Sequence, residues 1–378
     1  MEKNKIVELS SKERPLLLDC GKSLGPVKIA YTTYGNLNEQ KSNAILICHA
    51  LTGDQYVASQ HPITKKEGWW SNVVGPNKSI DTNKFFVICP NIIGGCMGST
   101  GPKEIDPLTQ KEFGLNFPVI TISDMVKAQK LLIDYLSIEK LFCVTGGSMG
   151  GMLVLEWLSK FTEYVHSAIP IATSVNHSAQ NIALNELARQ AIMADPVWDN
   201  GKYLKKNIQP KNGLAVARMV GHISYLSKKG MQEKFGRKLQ EKADYEFSFD
   251  ADFQVESYLR HQGFAFVERF DANSILYITR AMDYFDLSKQ YKGGLVEAFK
   301  NQETKFLVIS FSSDWLYTTK ENKDIVIALN ASGADVSYSE IVTDKGHDSF
   351  LLNEPEFLKT LKGFIDSMYE KFKNEKRI

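Results

Sequence analysis

Gly146-Gly147-Ser148-Met149-Gly150 is a G-x-S-x-G pentapeptide in the setting that gives the pattern meaning. An apolar, β-prone run at 141–145 leads into it and a helical apolar pattern at 152–161 leads out. So tight a strand-to-helix turn strains the serine backbone, and bulky side chains at the glycine positions on either side would collide. The hydroxyl is then exposed at a helix N-terminus. There the Met149 amide and the positive end of the helix dipole face any negative charge that develops on an attacked carbonyl. The chemistry this suits is nucleophilic acyl transfer.

A serine hydroxyl needs a histidine base and a carboxylate that orients the histidine. Of seven histidines, His61, His166, His177, His222 and His261 fall in expected loops or in a helical insertion and read as surface or packing residues. His49 closes the run Ala44–Cys48, and the turn after it, Ala50-Leu51-Thr52-Gly53, places the Leu51 amide as a second oxyanion donor beside that of Met149. His347, in Lys345-Gly346-His347-Asp348, follows the last strand-like run and is the expected base. Asp314 ends the run 306–311 through Ser312-Ser313 and is the expected orienting acid, ahead of Asp324, which reads as a helix-surface residue. Ser148, Asp314 and His347 thus occur in the chain order of an α/β-hydrolase.

The elements that must position these groups alternate. Strand-like runs lie at 44–48, 85–89, 141–145, 167–171, 306–311 and 336–342, apolar enough to be buried on both faces. A helix behind a Ser123 cap carries Met125, Val126, Ala128, Leu131, Leu132 and Tyr135 at helical spacing. Strand and helix in alternation predict an α/β fold, a mostly parallel sheet with helices on both faces. Between 173 and 305 the pattern turns helical, at 179–194, 213–228 and 273–285, and reads as an inserted helical lid. The expected division is a core in two parts, 1–173 and 305–378, flanking a lid at 174–304. The lysine-rich tail at 371–377 reads as a frayed helix end.

Composition agrees. The chain's 378 residues suffice for a large core, and 45 basic against 44 acidic residues leave a net charge of +1, which argues against nucleic acid or an anionic membrane as partner. Neither an apolar leader nor a spanning segment is apparent, and five cysteines without C-x-x-C spacing suit a reduced, cytoplasmic setting. No clustered His/Cys/Asp/Glu spacing calls for a metal. Cys96, in a glycine-rich loop, is either a packing residue or a second nucleophile.

Nearly end to end, the sequence resembles the homoserine O-acetyltransferase family of the α/β-hydrolase superfamily. The resemblance is carried by His49-Ala-Leu-Thr-Gly-Asp54, Gly68-Trp-Trp70, the stretch from Asn91 to Pro102, the elbow at Gly146 to Gly151, the stretch from Ala217 to Tyr225, Ser312-Ser-Asp-Trp-Leu-Tyr317 and Gly346-His-Asp-Ser-Phe350. It implies ping-pong transfer of acetyl from acetyl-CoA, as substrate, to the hydroxyl of L-homoserine, with no bound cofactor, in a homodimer formed through the lid helices. It also implies that Arg218 binds the homoserine carboxylate and Asp348 its ammonium; by residue type alone, Arg218 reads as a salt bridge on a lid helix. Succinyl-using relatives tend to carry an arginine two places after the triad aspartate; here that position is Leu316, which favours acetyl over succinyl. Thr318-Thr319 stands where many relatives have proline. Other expected readings are a homoserine O-succinyltransferase or serine O-acetyltransferase of the same family, and a serine esterase or thioesterase.

Overall fold

The computed structural model describes residues 3–206 and 208–375. Eight strands form one sheet: β1 (Lys3–Glu8), β2 (Lys28–Tyr34), β3 (Ala44–Cys48), β4 (Phe86–Pro90), β5 (Leu141–Gly147), β6 (Val165–Ile171), β7 (Lys305–Phe311) and β8 (Asp335–Ile341). Their order is β1-β2-β4-β3-β5-β6-β7-β8. β1 and β2 run antiparallel at one edge, and every pairing from β4 to β8 is parallel. All six expected strands are present to within about two residues. β1 and β2 are additions.

Alternation along β3 shows how the sheet is covered. Ala44, Leu46 and Cys48 join a core shared with α1 (Ile122–Tyr135) and α2 (Met149–Phe161), while Ile45 and Ile47 face a second core completed by Trp70 and by Phe357, Leu361 and Ile365 of the C-terminal helix. Helices therefore cover both faces. The cap of α1 is Thr121, two residues before the expected Ser123: its hydroxyl accepts from the Asp124 amide and the Asp124 carboxylate reaches back to the Thr121 amide. Ser123 lies inside the helix and is buried.

Between β6 and β7 come α3 (Ala179–Ala194), α4 (Lys211–Tyr225), α5 (Lys228–Lys234), α6 (Gln254–Val267), α7 (Ala272–Tyr284) and two short turns, α8 (Leu287–Gln290) and α9 (Gly294–Ala298). None of the sheet's strands comes from this segment. α10 (Thr319–Ala331) lies between β7 and β8, and α11 (Pro355–Glu375) ends the described chain. The tail expected to fray is helical through Glu375; Lys376 and Arg377 lie outside the described residues. Among the described residues no helix is long and apolar enough to cross a membrane.

Candidate active site

Ser148 stands between β5 and α2 with φ +60° and ψ −125°, the strained turn expected of it. Two close approaches explain its glycine neighbours. A Cβ on Gly146 would lie 2.5 Å from the Cys48 carbonyl oxygen, and one on Gly147 would lie 2.6 Å from the ring of Phe350. The second packs the loop after β8 directly against the serine turn, which is how residues 200 positions apart in the chain come to share one site. The turn is pinned by Ser148 N–H donating to Ile171 O at 3.0 Å and by Thr173 Oγ1 donating to Ser148 O at 2.9 Å.

Asp314 and His347 meet at the same sheet edge. His347 Nδ1 lies 2.7 Å from Asp314 Oδ2, and both side chains are buried. Asp314 Oδ1 accepts from the Leu316 and Tyr317 amides at 2.9 and 3.0 Å, so the turn's own backbone aims the carboxylate. The two loops are laced together. Ser313 Oγ accepts from Gly346 N–H at 3.0 Å, and Ser312 Oγ donates to Thr343 O at 3.1 Å while accepting from Thr343 N–H at 3.0 Å. The His347 ring is walled by Tyr317, Phe350 and Tyr225, at centroid distances of 5.2, 5.6 and 5.9 Å. Burial disfavours its imidazolium, but the charge and hydrogen bond of Asp314, with Asp348 behind, outweigh that and raise its proton affinity. Among the described residues, neither Ser148 Oγ nor His347 Nε2 is engaged in another hydrogen bond, leaving both available to a reactant.

Of the expected oxyanion donors, Met149 follows Ser148 in the chain and Leu51 lines the same cavity. Met149 opens α2, so its amide has no partner within the helix. Gly53 N–H donates to Ala50 O at 2.8 Å, closing a turn that leaves the Leu51 amide at its crest. His49 fixes this turn, donating through Nδ1 to Ala50 O at 2.8 Å and accepting at Nε2 from Ile92 N–H at 3.3 Å.

Leu51, Thr52, Ser148, Arg218, Tyr225 and Tyr317 line a narrow cavity of about 70 Å³. Thr52, Arg218 and Phe266 also border an open basin of about 620 Å³ that reaches Lys66 and Arg269. A groove of about 990 Å³ beyond α4, by Leu226 and Val342, includes none of the three candidate catalytic side chains. Arg218, on α4, forms no ion pair within 4 Å among the described residues. It donates to Thr52 Oγ1 at 3.1 Å and lies over the Phe266 and Tyr225 rings. Asp348 has its proton affinity raised by burial, against the opposing charges of His347 and Arg218. Neither of these oppositely charged groups is in an ion pair within 4 Å among the described residues, though each feels the other's charge.

Two alternatives fall away. Asp324 pairs with Lys320 at 2.9 Å on α10, as a surface residue would. Cys96 Sγ packs toward Arg269 O, and burial pushes its thiol up to about 12, which leaves too little thiolate for a nucleophile. His177 is what residue-by-residue reading missed. It is buried at the cavity wall, with Nε2 2.7 Å from Tyr317 Oη and Nδ1 3.0 Å from Asp283 Oδ1. No local motif marks it.

The α/β-hydrolase fold model matches residues 43–354. A homoserine O-acetyltransferase of Pelagibacter ubique is 63% identical over 359 residues, covering 95% of this chain and 96% of that protein. The crystal structure of a homoserine O-acetyltransferase from Bacillus anthracis superposes with a TM-score of 0.86 at 28% identity, covering 97% of each chain. Esterase E22 superposes equally well, with a TM-score of 0.86 at 28% identity, covering 97% of this chain and 100% of that one. Sequence identity over almost the whole length decides between these neighbours: the chain belongs to the homoserine O-acetyltransferase family of α/β-hydrolase-fold proteins.

Proposed function

We propose that this chain transfers an acetyl group from acetyl-CoA to the side-chain hydroxyl of L-homoserine, through an acetylated Ser148. The observation that carries this reading is the buried His347–Asp314 pair, with its outer nitrogen uncommitted, beside a strained serine at a helix N-terminus. His347 removes the Ser148 proton as Oγ attacks the thioester carbonyl, and the Leu51 and Met149 amides receive the oxyanion. Collapse of the oxyanion breaks the C–S bond, and His347 returns its proton to the departing thiolate of CoA. Homoserine then enters, His347 takes its hydroxyl proton, and the alkoxide oxygen attacks the acetyl carbonyl. The ester product leaves and the proton goes back to Ser148 Oγ. Such a cycle is ping-pong.

In this reading Arg218 grips the acceptor's carboxylate, a planar fork matched to two oxygens, and Asp348 its ammonium. The inner cavity of about 70 Å³ suits the reacting groups alone, which leaves the bulk of the coenzyme to the outer basin with Lys66 and Arg269. Leu316, apolar and on the inner wall, offers no cation to a succinyl carboxylate, which supports acetyl as the donor. We read the protein as cytoplasmic, with no cofactor of its own, and as a dimer through the helices of a 174–304 lid. Exposed Leu187 on α3 and Val216 and Ile223 on α4 support that pairing.

The likeness to an esterase keeps one rival reaction, water in place of homoserine. Product analysis with acetyl-CoA separates the two: O-acetylhomoserine with little free acetate is expected, and acetate at the same rate with or without homoserine would overturn the transferase reading. Ser148→Ala should abolish isotope exchange between acetyl-CoA and CoA.

A further inference from the structure

A second buried histidine–aspartate pair reaches the cavity that holds Ser148, and its job is not the base's. Asp283 is held from three sides: Arg189 Nη1 donates to Oδ2 at 2.7 Å, Asn185 Nδ2 to Oδ1 at 2.7 Å, and His177 Nδ1 lies 3.0 Å from Oδ1. Those hydrogen bonds prevail over burial and keep the carboxyl below its ordinary range, so Asp283 is a carboxylate that can only accept. The proton between it and His177 therefore sits on Nδ1. With that proton on Nδ1, a neutral His177 presents Nε2 as an acceptor, while Asp283 shares Arg189 with the carboxylate of Glu186. The 2.7 Å contact from Nε2 to Tyr317 Oη can then have only one sense, with the phenol donating. Burial raises the phenol's proton affinity well above its usual value, so that proton is always present to be donated.

The consequence reaches the cavity. With its single proton committed to His177, Tyr317 Oη has only lone pairs left to offer, one of which Asn181 approaches. Tyr317 stands on the cavity wall with its ring against His347, the residue that precedes Asp348 in the chain, so that acceptor sits beside the base. An ammonium brings three N–H donors, more than one carboxylate satisfies. We propose that Tyr317 Oη accepts a hydrogen bond from the ammonium of the amino-alcohol acceptor, and that His177, Asp283 and Arg189 are positioning residues that lock the phenol in the accepting sense. This rests on the acetyltransferase reading. It makes Tyr317 a selector for amino alcohols over hydroxy acids and water, in which no ammonium is present to use the acceptor.

The test is steady-state and single-turnover kinetics of Tyr317→Phe, His177→Leu and His177→Gln, with homoserine and its deaminated analogue 4-hydroxybutanoate as acceptors. Tyr317→Phe keeps the ring against His347, so release of CoA in the first turnover without acceptor should stay within about twofold of wild type. Its KM for homoserine should rise about ten- to a hundredfold, as for loss of a hydrogen bond to a charged group, with 4-hydroxybutanoate unaffected. His177→Leu frees the phenol proton to turn into the cavity and should reproduce that pattern, while His177→Gln, whose carbonyl can take the proton, should fall between the two. The inference is overturned by an unchanged homoserine KM in Tyr317→Phe and His177→Leu, by equal losses for both acceptors, or by slowed acetylation. A wild type that forms no O-acetylhomoserine fails before any variant is made, and takes the functional reading down as well.

Discussion

The two histidine–aspartate pairs, His347–Asp314 and His177–Asp283, are nearly alike at the contact itself, 2.7 and 3.0 Å from Nδ1 to the carboxylate. What differs is everything behind and in front of them. Asp314 is aimed by two backbone amides of its own turn, whereas Asp283 is held by the side chains of Arg189 and Asn185. In front, His347 Nε2 is uncommitted while His177 Nε2 is engaged by a tyrosine hydroxyl. A histidine–aspartate pair is thus no signature of a base. The occupant of the far nitrogen decides whether the imidazole shuttles protons or holds a neighbour still.

The sharpest way to break this contrast is to remove each imidazole in turn. His347→Ala should lower kcat by about 10⁴-fold or more, as for other triads acting as a unit, whereas His177→Leu should leave acetylation near wild type; pre-steady-state CoA release measures both. Asp314→Asn comes next, at about 10²- to 10⁴-fold, because an amide can hold the ring in the wrong tautomer and no longer supports the imidazolium. The same variant sharpens the electrostatic side. Only neutral His347 accepts the serine proton, and its proton affinity is raised, so acetylation should increase with pH through a midpoint above the 6.5 or so of an ordinary histidine. Asp314→Asn should move that midpoint down, and a pH profile of kcat/KM for acetyl-CoA reads the shift.

Smaller effects test the turn that aims Asp314. Leu316→Arg places a cation on the cavity wall while keeping the backbone amide, and should shift the ratio of succinyl- to acetyl-CoA turnover upward by about tenfold, the worth of one partly exposed charge-assisted contact. Thr318→Ala is the mildest. Thr318 caps α10, accepting from the Glu321 amide at 3.3 Å and donating to its carboxylate at 2.8 Å, so its loss should cost about 1 kcal/mol in a denaturation midpoint with kcat little changed. The threonine thus supplies by capping what proline would supply by stiffness.

Legibility followed the reach of the interactions. Ser148 was readable because strand, turn and helix are contiguous, and Gly146 and Gly150 both report the nearness of the Cys48 carbonyl. Asp314 and His347 were readable from their places just past strands β7 and β8. β1 was not: Lys3–Glu8 is charged and mostly exposed at a sheet edge, a strand only because β2 lies beside it. Ser123 and Thr121 are equally good caps of α1 in one dimension, and only the tertiary burial of Ser123 inside the helix tells them apart. His177 stayed hidden for a stronger reason, since its partners lie 106 and 140 residues away.

The sequence by itself determined the strand-turn-helix that exposes Ser148, the order of nucleophile, acid and base, and the alternation that builds a parallel sheet, because each is set by neighbours in the chain: backbone sterics, side-chain period and turn chemistry. Only the tertiary structure decided which nitrogen of which histidine is left open, that Arg218 has no ion-pair partner among the described residues, and that Tyr317 lines the cavity with its hydroxyl against His177. Hydrogen-bond sense depends on who stands at both ends, and those ends come together only when the β6–β7 helices close over the sheet.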